Sequence, residues 1–149
     1  PKKFVQELQN FCKKNDILLC FDEMQAGFAR TGFKFGFEFY NVKPDLICCG
    51  KGMGGGFPLS GVIGKKNLLD IAGSGDMSST HSANPVSCAA GLAVIEEIEK
   101  KKLVFKTKDK GKILIFLLKN LLEKHKDKIL TVNSFGLIGT IIFKKEKNL

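Results

Sequence analysis

Asp45–Phe57 reads DLICCGKGMGGGF, a short apolar run that gives way to a lysine set among glycines. Leu46–Cys49 has the length and character of a strand covered on both faces of a sheet. It delivers Lys51 to its carboxyl end, where Gly50, Gly52 and Gly54–Gly56 form a turn with room for something bulky. An ammonium beside a buried apolar strand is open to desolvation, which is how a lysine becomes a Schiff-base nucleophile. A lone lysine between glycines is more often a surface residue of a loop. Its meaning therefore depends on what shares the same sheet edge.

Upstream, Phe4, Leu8 and Phe11 recur at helical spacing after Pro1, and Asn15-Asp16 closes that helix. Ile17–Phe21, ILLCF, reads as a central parallel strand ended by Asp22-Glu23. A helix, a buried strand and a polar tip predict an α/β layer fold. In such sheets ligands collect beyond the carboxyl ends of the strands, which makes Asp22 a candidate site residue, although a turn or cap aspartate is the commoner role. Lys51 follows Asp22 by 29 positions, about one crossover between neighbouring parallel strands, so the two side chains are expected at one edge. A carboxylate and a lysine bracketing a pocket suit a cofactor with a carbonyl and a basic nitrogen. Pyridoxal phosphate has both.

Between these strands, Gly27, Gly32 and Gly36 break the chain into a loop, and Phe28, Phe33, Phe35, Phe37 and Phe39 are expected to pack together. Further strands are expected over Leu59–Gly64, Ile129–Val132 and Leu137–Phe143. A short helix is expected over Asn67–Ala72, then a small polar loop, Gly73–Ala83. Asn84-Pro85 supplies an N-cap and a first-turn proline for a helix reaching about Lys101, apolar nearly all round in its first half. A lysine-rich helix, Lys110–Lys124, opens a different texture, and residues 103–149 read as the start of a second, smaller domain after a larger one over 1–102.

Three segments, ILLCFDEMQAGFARTG, KPDLICCGKGMGGGFPLSGVIG and STHSANPVSCAAGLAVIEEI, resemble in order and spacing the class III, or omega-type, aminotransferases of the fold-type I pyridoxal-phosphate enzymes. The resemblance covers nearly the whole chain. It implies part of a large-domain mixed sheet with flanking helices plus the beginning of a smaller α+β domain. It further implies Asp22 as the partner of the pyridinium nitrogen, Met24 packed behind the ring, and Gln25 near the 3-hydroxyl. Lys51 would carry the cofactor and act as the general base, and Thr80 would reach the phosphate in the neighbouring subunit of a homodimer. Met24 stands where the family often has Val or Ile. Ala29 replaces a common glycine, SSTHSANP departs from the frequent GTFGGNP-like wording, and Asn133 replaces a usual arginine. The family's amino-terminal half and the rest of its carboxy-terminal domain are not represented, so the chain reads as an internal fragment that does little alone.

The function implied is transfer of an amino group from an amine or amino acid to a 2-oxo acid, with an amino-acid racemase or epimerase as the alternative on the same scaffold. The net charge of +9 raises a third reading, a basic nucleic-acid-binding module. However, residues 1–100 hold 11 basic and 11 acidic residues and the last third holds 13 and 4, there as lysine interleaved with Ile, Leu and Phe at helical spacing. That pattern is a solvated helix face rather than a base-stacking platform. Neither nucleic acid nor membrane is expected as a partner. Five cysteines without zinc-type spacing read as small core residues and not as ligands or a disulfide framework. Without an apolar leader or a run of about 20 apolar residues, the cytoplasm is the expected compartment.

Overall fold

The computed structural model describes residues 1–77 and 79–145; Ser78 of the expected polar loop and the last four residues lie outside them. In chain order the elements are α1 (Lys2–Lys14), β1 (Cys20–Asp22), a 3-10 helix (Gly36–Tyr40), β2 (Leu46–Cys49) and a second 3-10 helix (Lys51–Gly54). There follow β3 (Gly61–Gly64), α2 (Lys66–Leu69), α3 (Pro85–Lys100), α4 (Leu103–Lys124), β4 (Ile129–Phe135) and β5 (Ile138–Phe143). β2 is the middle strand of a three-stranded mixed sheet, parallel to β1 and antiparallel to β3. β4 and β5 form a separate antiparallel hairpin against α4.

The expected central strand at Ile17–Phe21 is shorter and displaced. Its partner β2 begins only at Leu46, so Ile17 and Leu18 have no ladder to join and stand 47% and 54% exposed. The Leu19 carbonyl instead accepts the N–H groups of Asp45 (2.8 Å) and Leu46 (3.3 Å). In return, Asp45 accepts the Leu19 N–H at 3.0 Å and the Lys65 ammonium at 3.2 Å. These two contacts, the backbone donor foremost, hold the Asp45 carboxyl below its usual range. They also tie the entries of β1 and β2 together. Asp22 lies inside β1, opposite Cys48, rather than just beyond the strand.

Glu23, read from sequence as part of the polar tip, is the most enclosed charged side chain among the described residues, 1% exposed. Its two carboxylate oxygens accept the N–H groups of Gly36 and Phe37, each at 2.8 Å, at the start of the first 3-10 helix. A helix start presents unpaired N–H groups and partial positive charge, so a carboxylate is well matched to it. Its backbone is held as well: the Glu23 N–H donates to the Cys48 carbonyl at 2.9 Å, and its carbonyl accepts the Gly27 N–H at 3.0 Å. Removing the carboxylate leaves one buried and one part-buried donor without acceptors. Glu23→Ala is therefore expected to destabilise the protein by about 3–5 kcal/mol and Glu23→Gln by about 1–3 kcal/mol. Urea unfolding of the protein made from its complete reading frame measures both, and a shift below about 0.5 kcal/mol for Glu23→Ala would contradict the role.

The phenylalanines pack against one another as expected. Phe33, Phe39 and Phe135 form one cluster with centroids 4.8–6.2 Å apart, which joins the loop to β4. Phe35 stacks on Phe37 at 5.9 Å, and Phe21 meets Phe37 edge-on at 6.0 Å. Asn84 caps α3 through its side-chain oxygen, which accepts the N–H groups of Val86 (3.0 Å) and Ser87 (3.3 Å). α4 starts at Leu103, seven residues before the expected Lys110, because a single left-handed residue, Lys102 (φ 51°), suffices to separate it from α3. The cysteines only partly follow the core reading: Cys12 and Cys49 are buried, while Cys20 and Cys88 are exposed.

Candidate active site

The parallel pairing of β1 and β2 places Asp22 opposite Cys48, three residues before Lys51. Past β2 the chain enters a tight turn in which Lys51 itself takes a left-handed conformation, φ 46°. For a side chain with a Cβ that conformation costs about 1–2 kcal/mol, and such strain concentrates where backbone geometry serves a site. The Lys51 ammonium donates to the Gln25 side-chain carbonyl at 3.2 Å. Gly50 permits this approach of the two strand ends, since a methyl group there would collide with the Met24 thioether.

Lys51, Gln25 and Met24 together line a cleft of about 920 Å³ that is continued by Phe28, Arg30, Phe57, the Ala90–Ile98 face of α3, and Leu137 with the first two residues of β5, Ile138 and Gly139. That volume is within the range of small-molecule sites. α3 packs closely beside the cleft at the buried Gly91, where a Cβ would stand 2.6 Å from a Leu59 methyl group and 3.4 Å from the Met53 carbonyl.

Not every expected site residue lines this cleft. Asp22 is exposed at the neighbouring strand end, and one of its oxygens accepts the Met24 N–H at 3.0 Å, which folds the chain back toward Gln25. Thr80 is exposed in the turns before α3, away from the cleft lining. Lys51 is also exposed, so the residues of this chain do not supply the desolvation expected from its apolar strand.

Two features of the segment that carries Met24 and Gln25 were not legible in the sequence. One is Glu23, whose hydrogen bonds reach residues 13 and 14 positions away. The other is the Phe28-Ala29 pair, both left-handed at φ 53° and 67°. Ala29 stands where glycine carries no steric cost, which explains why its departure from the usual glycine is felt in the backbone.

The donor set fits the cofactor read from the sequence. A primary amine, an amide and a carboxylate sit on two adjacent strand ends, with a polarisable thioether between them, and a planar ring bearing a carbonyl, a hydroxyl and a basic nitrogen asks for those groups.

A family model for class-III aminotransferases matches residues 1–149. The chain belongs to the class III aminotransferases, a family of pyridoxal-phosphate enzymes. It is 45% identical over 113 residues to a probable 4-aminobutyrate aminotransferase of Bacillus subtilis, covering 76% of this chain and 26% of that protein. It is 38% identical over 148 residues to an acetylornithine aminotransferase of Prochlorococcus marinus, covering 99% of this chain and 35% of that one. Among solved structures, acetylornithine aminotransferase from Elizabethkingia anophelis superposes with a TM-score of 0.90 at 30% identity, covering 100% of this chain and 37% of its own. The fold is accordingly the fold-type I α/β arrangement. The chain spans between about a quarter and a third of the length of the relatives it matches.

Proposed function

We propose that the whole protein is a pyridoxal-phosphate-dependent transaminase that moves an amino group from an amine or amino acid to a 2-oxo acid. The observation that carries this is the Lys51 ammonium, presented into the cleft from a left-handed backbone at the end of β2 and hydrogen-bonded to Gln25. Lys51 would hold the cofactor covalently and, once displaced by substrate, would take the proton from the substrate's α-carbon and return it on the cofactor side. Asp22 would pair with the ring nitrogen and keep it protonated, Gln25 would donate to the 3-oxygen, and Met24 would pack against the ring. When bound, the cofactor supplies the electron sink for the pair left behind by that proton. The glycine turn keeps that side of the cleft free of side chains, since Gly52, Gly54 and Gly55 all line it.

Thr80 would serve the phosphate of a second subunit. A homodimer is supported by the open apolar residues of α3, where Val86, Leu92 and Ile95 are 59%, 64% and 48% exposed. We further divide the chain into part of a large cofactor domain, 1–102, and the start of a small domain, 103–149. The left-handed Lys102 and the separate β4–β5 sheet support that division. Five free thiols suit a reducing compartment such as the cytoplasm. No helix of the described residues is long and apolar enough to cross a membrane.

The named relatives are aminotransferases and lend no support to the racemase or to a nucleic-acid-binding module. The test is the complete protein loaded with cofactor and given an amino donor alone. Transamination releases about one equivalent of oxo product and then waits for a 2-oxo acid, a ping-pong pattern. Inversion of the amino acid without any oxo acceptor would overturn the proposal.

A further inference from the structure

Gly136, in the turn between β4 and β5, lies between two backbones. Its φ of 57° is left-handed, and a Cβ there would stand 2.4 Å from the Thr31 carbonyl carbon and 2.6 Å from Thr31 Cα. Main-chain atoms cannot swing aside as the end of a side chain can, so glycine is needed for the approach itself as well as for the turn. From the other side, a Cβ on Gly111 of α4 would come within 2.8 Å of the Gly136 carbonyl oxygen and 3.0 Å of its Cα. The turn is therefore pressed between α4 and the segment that follows Gln25. That segment is firmly held. Ala29 and Thr31 are each 3% exposed, the Thr31 hydroxyl donates to the Ala26 carbonyl at 3.3 Å, and the Arg30 N–H donates to the Gly27 carbonyl at 3.3 Å. Leu137, next along the turn, donates its own N–H to the Arg30 carbonyl at 2.9 Å. It is half-buried and lines the same cleft as Lys51 and Gln25, together with Ile138 and, from α3, Val94 and Ile98.

We propose that Leu137, set in place by Gly136 between Thr31 and Gly111, is a specificity-determining residue: it forms an apolar wall that measures the alkyl chain of the amino donor. The inference rests on the transaminase reading for the identity of the substrate. A leucine side chain carries neither charge nor hydrogen-bonding group, so it discriminates only by the methylenes it covers and the volume it denies. Each methylene buried against such a wall strengthens binding about three- to fourfold. A wall of this kind works only if it does not retreat, and a turn gripped by backbone on both faces has little room to do so.

The test uses the complete, cofactor-loaded protein with Leu137→Ala, Leu137→Phe and Gly111→Ala. The last moves the same turn from the α4 side, while alanine suits the helix better than glycine does. Two readouts are taken: calorimetric binding of straight-chain carboxylates of increasing length, which carry no amino group and cannot react, and KM for the corresponding ω-amino carboxylates. In the wild type, affinity should rise about three- to fourfold with each methylene that reaches the wall. Leu137→Ala should flatten that rise to below about twofold per methylene and raise KM for the longest donor about 5- to 20-fold. Leu137→Phe should invert the order, the longest chain binding worst. Gly111→Ala should flatten the rise with Leu137 still present, which a glycine serving only the packing of α4 would not do. The proposal is overturned if the wild type shows no dependence on chain length, or if either Leu137→Ala or Gly111→Ala keeps the wild-type rise. A wild type whose affinities follow chain length through Leu137 but which transfers no amino group would instead remove the transaminase reading and leave the wall standing.

Discussion

Lys51→Ala in the complete protein is expected to lower kcat/KM for amino transfer by about 10⁴-fold, while the fold survives. Two properties of the site lead to that figure. The ammonium is the one amine at the junction of β2 with the glycine turn, and the Gln25 contact at 3.2 Å aims it into the cleft. Its exposure means that the packing of β1–β3 does not depend on the side chain, so loss of activity and loss of stability separate. Alanine also accepts the left-handed φ of 46° no worse than lysine does. Lys51→Arg sharpens the result, because it keeps the charge but cannot give up a proton or add to a carbonyl near neutral pH. Both variants should be equally inactive in single-turnover assays. A Lys51→Arg enzyme that kept more than about a tenth of normal activity would reduce Lys51 to an anion-binding charge.

Asp22→Asn is expected to lower kcat by about 10²- to 10³-fold with little change in KM. The substitution is nearly isosteric, and the amide oxygen can still accept the Met24 N–H that the carboxylate accepts at 3.0 Å. The turn toward Gln25 therefore persists, and only the charge is removed. If Asp22 keeps a ring nitrogen protonated, that charge matters in the proton-transfer step and not in substrate capture, so the effect falls on kcat. The absorption of the bound cofactor should shift as well, a change that damage to the fold alone would not reproduce in a protein of unaltered unfolding midpoint. Normal kcat in Asp22→Asn would mean that the carboxylate serves its own turn and nothing more.

How far the sequence could be read varied with how local each decision is. Leu46–Cys49 was legible because β2 has strands on both sides and its pattern needs only four residues. The start of α3 was legible because Asn84 and Pro85 carry their own capping chemistry. The 29-residue interval placed Asp22 at the end of β1 and Lys51 just past the end of its parallel neighbour β2, because parallel neighbours constrain it. Ile17–Phe21 misled, since its extent depends on where β2 begins and not on its own apolar character. The stripe of α1 was legible as a helix that closes at Asn15, whereas the burial of that stripe was not. Phe4 and Phe11 are 61% and 57% exposed here, because within this chain the helix docks through polar atoms, Gln6 to the Tyr40 carbonyl and Gln9 to that of Lys43. Glu23 was illegible because its burial is decided by two backbone donors in a later turn. The family resemblance implied the roles proposed for Asp22, Met24, Gln25, Lys51 and Thr80, and spacing alone would have isolated only the first and fourth.

The most direct measurement is covalent mapping of the complete protein after incubation with pyridoxal phosphate, borohydride reduction, digestion and mass analysis of the peptides. A phosphopyridoxyl group on the peptide containing Lys51, in about one copy per chain and absent from Lys51→Ala, is the expected result. A folded protein whose Lys51 remains unmodified, or one labelled only on the exposed lysines of α4, would contradict the assignment of that cleft as the cofactor site.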